Sequence, residues 1–318
     1  IKGDMLLIGN NLLSTTSSSA YTGTKANNEM NPMVNVDIDG DPSTFNSSSA
    51  DLIISGSTCY KIRYAGLYWG SVVKGSSAIS NVKFKVPGGT YTNLTGTEIY
   101  FQNSTDGKTN AFAYYADVTS LVTSLADPQG TYTVANVSTL TGDKPNVEGL
   151  SAGWSLFVVY EDPTMPSKYI TSFDGYSIIS STTQNLNIPV SGFKTIPVGP
   201  VNAKYAFSAL EGDSPYTGDY LQINGTTISA TNAAGTVIRP TNNFFNSSVS
   251  YINTTTNTPE LFTNRNPNSK NTLGFDAGIL KIPNPGNVVI KNGDTSATIR
   301  LGSTLDIYYF YFNAFAVD

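Results

Sequence analysis

The chemistry open to this 318-residue chain is bounded first by a residue type it lacks, because the sequence contains no His. Without imidazole there is no Ser-His-Asp or Cys-His nucleophile, no His-bearing zinc site and no side chain titrating near neutrality in its ordinary state. Carboxylate and hydroxyl chemistry remains. Asp37, Asp39 and Asp41 stand at every second position of VDIDGD, and three such oxygens can converge on a hard cation such as Ca²⁺. The helical calcium loop is not matched, since the sixth position counted from Asp37 is Pro42 and the twelfth is Ser48. A calcium site here must be a sandwich-loop site, completed by Asn35, Glu29 or backbone carbonyls. The plainer reading is a solvated acidic turn whose side chains bond local amides.

Glu211, Asp213 and Asp219 form a second acidic group, punctuated by Gly212 and Gly218. Such a loop can offer metal ligands or polar contacts to sugar hydroxyls, or it can fold on itself as an ordinary Ω-type loop. Tyr68-Trp69-Gly70 could present a flat ring to a sugar, while the competing role is an anchor in the core. Glu98, Glu161 and Glu211 could in principle supply a glycosidase pair, but nothing in the linear sequence brings two of them together. No catalytic residue is assigned, and the chain is expected to bind rather than catalyse. Cys59 is the single cysteine, which excludes an intramolecular disulfide and reads as a small buried hydrophobe.

Short β elements must position these groups. Only 13% of residues are charged, and Asn, Ser, Thr and Gly carry the polarity. Nineteen Tyr and 15 Phe favour strands. Met5–Ile8 is a short apolar run, and Val82–Val86 alternates as a strand with one wet face does. Trp154–Tyr160 and Ile307–Val317 are apolar on both faces and should be central strands. Apolar residues three and four apart in 117–125 predict one short helix, with Asp117 as N-cap and Asp127-Pro128 as its stop. Turn signals every 8–12 residues or so point to an all-β, antiparallel β-sandwich or jelly-roll architecture. Two packed sandwich units are expected, 1–163 and 164–318, divided at the EDPTMP stretch; a single large sandwich is the alternative. The echo of Phe45-Asn46-Ser47-Ser48 in Phe245-Asn246-Ser247-Ser248 lends the two halves slight support.

A net charge of −5 and the lack of any basic block exclude the electrostatic footprint of a nucleic-acid binder. No apolar run approaches the roughly 18 residues that a spanning helix needs, so no direct membrane insertion is expected. The sequence begins at Ile1 without a signal peptide and reads as a processed chain or an excised fragment.

The set GDMLLIGNN (3–11), VDIDGDPSTFNSSSADL (36–52), YAGLYWG (64–70), ADVTSLV (116–122) and GWSLFVVYEDP (153–163) resembles the N-terminal region of very large Bacteroidota surface adhesins. FDGY (173–176), EGD with GDYLQING (211–213, 218–225), NNFFNSSVSY (242–251) and NPNSKNTLGFD (266–276) extend the resemblance over almost the whole chain. Such proteins continue into repeated Ig-like domains and often end in a gliding-motility or type IX secretion sorting domain. The resemblance implies an extracellular or cell-surface location and cell adhesion. It also implies downstream repeat domains of the same parent as neighbours, and it carries no catalytic residues. The leading expectation is a module that binds a surface polysaccharide or glycoprotein, assisted by calcium, through Trp69, Tyr68, Glu211, Asp213 and Asp219 with the metal at Asp37, Asp39 and Asp41. A self-associating filament subunit and a His-free carboxylate glycoside hydrolase are the rivals.

Overall fold

A computed structural model describes the chain except for residues 28–29, 57–58, 74–78, 104–108, 144–148 and 183–184. It is nearly all β, with four main sheets and one short α-helix among the described residues. The N-terminal half builds an inner sheet in the order Gly3–Asn11, Ala152–Glu161, Lys61–Val73, Asn110–Asp117, Thr97–Phe101. Its outer sheet runs Arg265–Asn266, Ser47–Leu52, Gly130–Ala135, Asn81–Lys85, Thr92–Thr95. The C-terminal half builds a second inner sheet, Tyr169–Ile179, Tyr308–Val317, Ala203–Leu210, Phe275–Lys281, Val249–Asn253, Thr258–Leu261. Its outer sheet is Asn185–Ser191, Ser296–Ser303, Asp219–Ile223, Thr226–Thr227. Pairing is antiparallel throughout these sheets except between Val249–Asn253 and Phe275–Lys281.

Side-chain alternation explains the stacking. On the Ala152–Glu161 strand, Trp154 donates to Ser48 Oγ of the outer sheet at 2.9 Å. Its neighbour Ser155 points the other way and meets Ser208 Oγ of the second inner sheet at 2.8 Å. Tyr68 and Phe157 also reach that sheet, packing on Phe312 with ring centroids 4.3 and 5.2 Å apart. A strand covered on both faces has no reason to alternate, which is why Trp154–Tyr160 reads as continuously apolar. Tyr308–Val317 is wholly buried for the same reason, its side chains divided between the apolar clusters on the two faces of its sheet.

One apolar cluster fills the space from the N-terminal outer sheet to the facing sides of the two inner sheets, drawing on both halves of the chain. A second, made of residues 179–317, lies between the second inner sheet and its outer partner. The EDPTMP stretch joins the last strand of one inner sheet to the edge strand of the other. Arg265–Asn266 comes from the C-terminal half yet pairs with Ser47–Leu52 in the N-terminal outer sheet. The helix is shorter than the periodicity predicts, Thr119–Thr123, with Val118 at its N-cap. Asp117 still bonds its first turn, its Oδ1 accepting from Thr119 N at 2.8 Å. Cys59 is exposed, correcting the expectation of a buried thiol. It falls in the connection between two strands, outside the layers that would cover it.

Candidate functional site

The rings expected to stack on a sugar are inaccessible. Trp69 is fully buried; its indole N–H donates to Ile79 O at 3.2 Å and its ring stacks on Tyr114 at 6.1 Å. Tyr68 is buried against Phe312. Their strand lies between two layers, so both residues are core, and the platform reading is overturned.

The turn at 37–41 employs its carboxylates locally. Asp37 Oδ1 accepts from Ser47 Oγ at 2.9 Å. Asp39 Oδ1 accepts from Asp41 N at 3.1 Å and Thr44 Oγ1 at 3.2 Å, while Oδ2 accepts from Tyr91. Asp41 Oδ1 accepts from Ser43 N at 2.8 Å. Partial burial pushes the Asp39 carboxyl up, but these bonds, led by Tyr91, together hold it below the usual carboxylate range. Asn35 accepts from Thr139 Oγ1 at 2.6 Å, and Glu29 lies outside the described residues. Among the described residues no three Cys, Asp or Glu side chains converge as a metal-holding group.

The 211–219 loop turns inward. Glu211 Oε2 accepts from Asn27 Nδ2 at 3.0 Å. Asp213 and Asp219 are buried, so this loop does not present them to a ligand at the surface. The Asp213 amide donates to Asp306 Oδ2 at 3.2 Å, and Asp219 Oδ1 accepts from Phe245 N at 2.7 Å. Beside them Arg239, wholly buried, pairs with Asp276 at 2.9 Å and donates to the carbonyls of Phe244 and Ser248, each at 2.7 Å. Burial pushes Asp276 up and Arg239 down, and their mutual attraction pulls both the other way. Burial also pushes Asp219 up to about 7, with the Asp276 charge adding to it. Burial takes Asp306 to about 8, helped by Asp213 and Asp219. The three glutamates considered for hydrolysis take separate partners: Glu98 accepts from Tyr114 OH at 3.0 Å, Glu161 pairs with Arg63, and Glu211 holds Asn27.

A cleft that sequence reasoning missed lies where the edge strand Gly3–Asn11 packs against the second inner sheet. It encloses about 660 Å³. Leu6, Ile8, Ile279 and Ala316 give it apolar surface, and Asn202, Asn253, Asn257 and Asn264 contribute amides beside Tyr251. Lys168, Lys204, Lys281 and Asp4 bring charge into it. Asp4 Oδ2 receives Lys204 Nζ at 2.6 Å and Lys168 Nζ at 3.4 Å, and Lys168 also donates to Gly3 O at 3.0 Å. Asp4 is 4% exposed, and a charge buried to that extent requires such partners. The sequence signal was faint: a lone acid ahead of the MLLI run, and a lone Lys inside AKYAFSAL. Their pairing spans 200 residues.

No protein-family model matches the chain, and no curated protein does. Among solved structures it is similar to a conserved protein of unknown function from Pseudomonas aeruginosa PAO1, at 9% identity and a TM-score of 0.26, covering 86% of this chain and 89% of that one. It is similar to PNGase F, a glycosylasparaginase from Flavobacterium meningosepticum, at 10% identity and a TM-score of 0.24, covering 99% and 96%. It is also similar to a GH86 protein in complex with neoagarooctaose, at 10% identity and a TM-score of 0.23, covering 99% of this chain and 33% of that one. At that level of superposition none of them bears on what this chain binds or does.

Proposed function

We propose that the chain is an extracellular glycan-binding module of a bacterial surface adhesin, acting by binding without catalysis, and that its ligand sits in the cleft beside Asp4. The observation that carries this reading is the lining of that cleft. Ligand sites are commonly concave, about 300–1,000 Å³ in volume, and combine apolar surface with a few placed polar groups. Here four Asn amides, Tyr251 and three ammonium groups surround an apolar floor within about 660 Å³. Amides both donate and accept, as sugar hydroxyls do. Asn202 Nδ2 already serves Asp318, and Asn253 Oδ1 serves the Thr255 and Thr256 amides. That leaves Asn202 Oδ1 as an acceptor, Asn253 Nδ2 as a donor, and the side-chain amides of Asn257 and Asn264. The adhesin context follows from the resemblance over 3–276 and from the Ser/Thr/Asn/Gly-rich composition. Calcium at Asp37, Asp39 and Asp41 is kept in this reading as an accessory that stiffens a separate turn.

Binding to immobilised polysaccharide panels, read by biolayer interferometry, tests the proposal. Tyr251→Ala and Asn253→Ala are expected to abolish retention, while Asp41→Ala leaves it intact. Retention that survives both cleft substitutions in folded protein, or silence across broad panels, would sink it.

A further inference from the structure

We propose that the cleft selects an anionic glycan, seating a carboxylate or sulfate of the sugar against Lys204 and Lys281; this rests on the cleft being the glycan site. Lys204 and Lys281 are direct cross-strand partners on neighbouring strands of the second inner sheet. Directly opposed residues project from the same face of a sheet, and like charges placed so repel. The fold therefore roots two lysines side by side on one face of the sheet, both lining the cleft.

Asp4 offsets this only in part. Its Oδ2 is shared between Lys204 and Lys168, and its Oδ1 accepts from the Met5 amide at 2.9 Å. Among the described residues Lys281 has no carboxylate within ion-pair distance. The cleft's other two carboxylates take neutral partners and neither pairs with Lys281: Asp51 Oδ1 accepts from Thr131 Oγ1 at 2.7 Å, and Asp318 accepts from Asn202 N and Nδ2 at 2.7 and 2.9 Å. An ammonium carries three donors. Lys204 spends one on Asp4, leaving N–H groups on both lysines for an incoming anion. An anion between them would relieve the repulsion that the register imposes. A neutral sugar would leave it in place.

The whole chain carries −5, so attraction for an acidic polymer must be local to this lysine pair. Charge contacts of this kind weaken as the Debye length shortens, from about 10 Å at 0.1 M salt to about 3 Å at 1 M.

Isothermal titration with polygalacturonate, dextran sulfate and neutral dextran, on the whole chain and on Lys281→Gln and Tyr251→Ala, tests the inference. The expected result is binding of an acidic polymer at least about tenfold tighter than neutral dextran, with Lys281→Gln removing about tenfold of that affinity. Its melting temperature should not fall, because the substitution removes a repulsion. Preference between the two acidic polymers tells carboxylate from sulfate. Equal affinity for neutral dextran, or acidic binding unchanged in Lys281→Gln but lost in Tyr251→Ala, overturns the anion selectivity and leaves the cleft as the site. Binding unchanged in both variants, or no binding of any polymer, overturns both.

Discussion

Asp37, Asp39 and Asp41 occupy an exposed or half-exposed turn, whereas Asp213, Asp219, Asp276 and Asp306 are buried around Arg239 and the 244–248 segment. In the turn every carboxylate accepts from a neighbour within ten residues and, for Asp39, also from Tyr91. In the interior one guanidinium pairs with Asp276, and backbone amides serve Asp276, Asp219 and Asp306. The outcome is that Asp39 and Asp41 stay below the usual carboxylate range while Asp219 and Asp306 rise to about 7 and about 8. Desolvation decides the difference. An acidic, glycine-punctuated loop can be a solvated turn or a structural lock, depending on which layer closes over it.

The largest effect expected from this contrast is at Arg239. It also sits over the rings of Phe207 and Phe244, 4.8 and 5.6 Å from their centroids. Arg239→Met removes the partner of Asp276 and leaves buried negative charge uncompensated, a loss of about 3–5 kcal/mol measured by urea denaturation. Asp39→Asn, made as the surface counterpart, should move the melting temperature by about 1 °C or less. Equal losses at the two sites would break the comparison.

The pH dependence comes next. Asp219 and Asp306 ionise near 7 and 8 when folded but close to the ordinary carboxyl value of 3.8 when unfolded. Between those limits the folded chain holds more protons, so stability declines as pH rises. The stability is complete below about pH 4 and is lost as pH passes through the folded values. The charges facing the pair are Asp213, Asp276 and Arg239, with the Tyr308 phenol nearby. Calorimetry is therefore expected to show a melting temperature falling by several degrees from pH 5 to pH 8.5. In Asp219→Asn the slope should flatten. A slope unchanged in that variant would mean that the buried carboxylates do not govern it.

The same contrast marks what the sequence made legible. Trp154–Tyr160 and Tyr308–Val317 declared themselves central strands, because burial on both faces removes the need for polar alternation. The short helix was legible from its spacing, though its ends were drawn in to 119–123. Which layer covers a residue was not legible. Trp69 followed by glycine fits an exposed platform as well as a core anchor, and only the stacking of three sheets decides between them. Glu211, Asp213 and Asp219 looked like a surface loop because neither Phe245 nor Asp306, their eventual neighbours, is near them in sequence. The cleft was least visible, since Asp4, Lys168, Lys204 and Lys281 meet only through sheet register.

Calcium at the surface turn should give the smallest effect. Extracellular calcium modules bind at about 10⁻⁴–10⁻³ M. At 2 mM ion that corresponds to about 0.6–1.8 kcal/mol of linkage stabilisation. The ion must also displace bonds already made, since Asp39 would have to release Thr44 or Tyr91 to turn its oxygens outward. The net gain should fall at the low end, raising the melting temperature by about 1–2 °C. Scanning calorimetry with and without Ca²⁺ reads this shift, and Asp39→Asn should abolish it. Should the shift survive Asp39→Asn and disappear in Asp219→Asn, the ion belongs with the buried carboxylates. The interior group would then be an ion site rather than a set of shared protons, and the contrast between the two acidic regions would reverse.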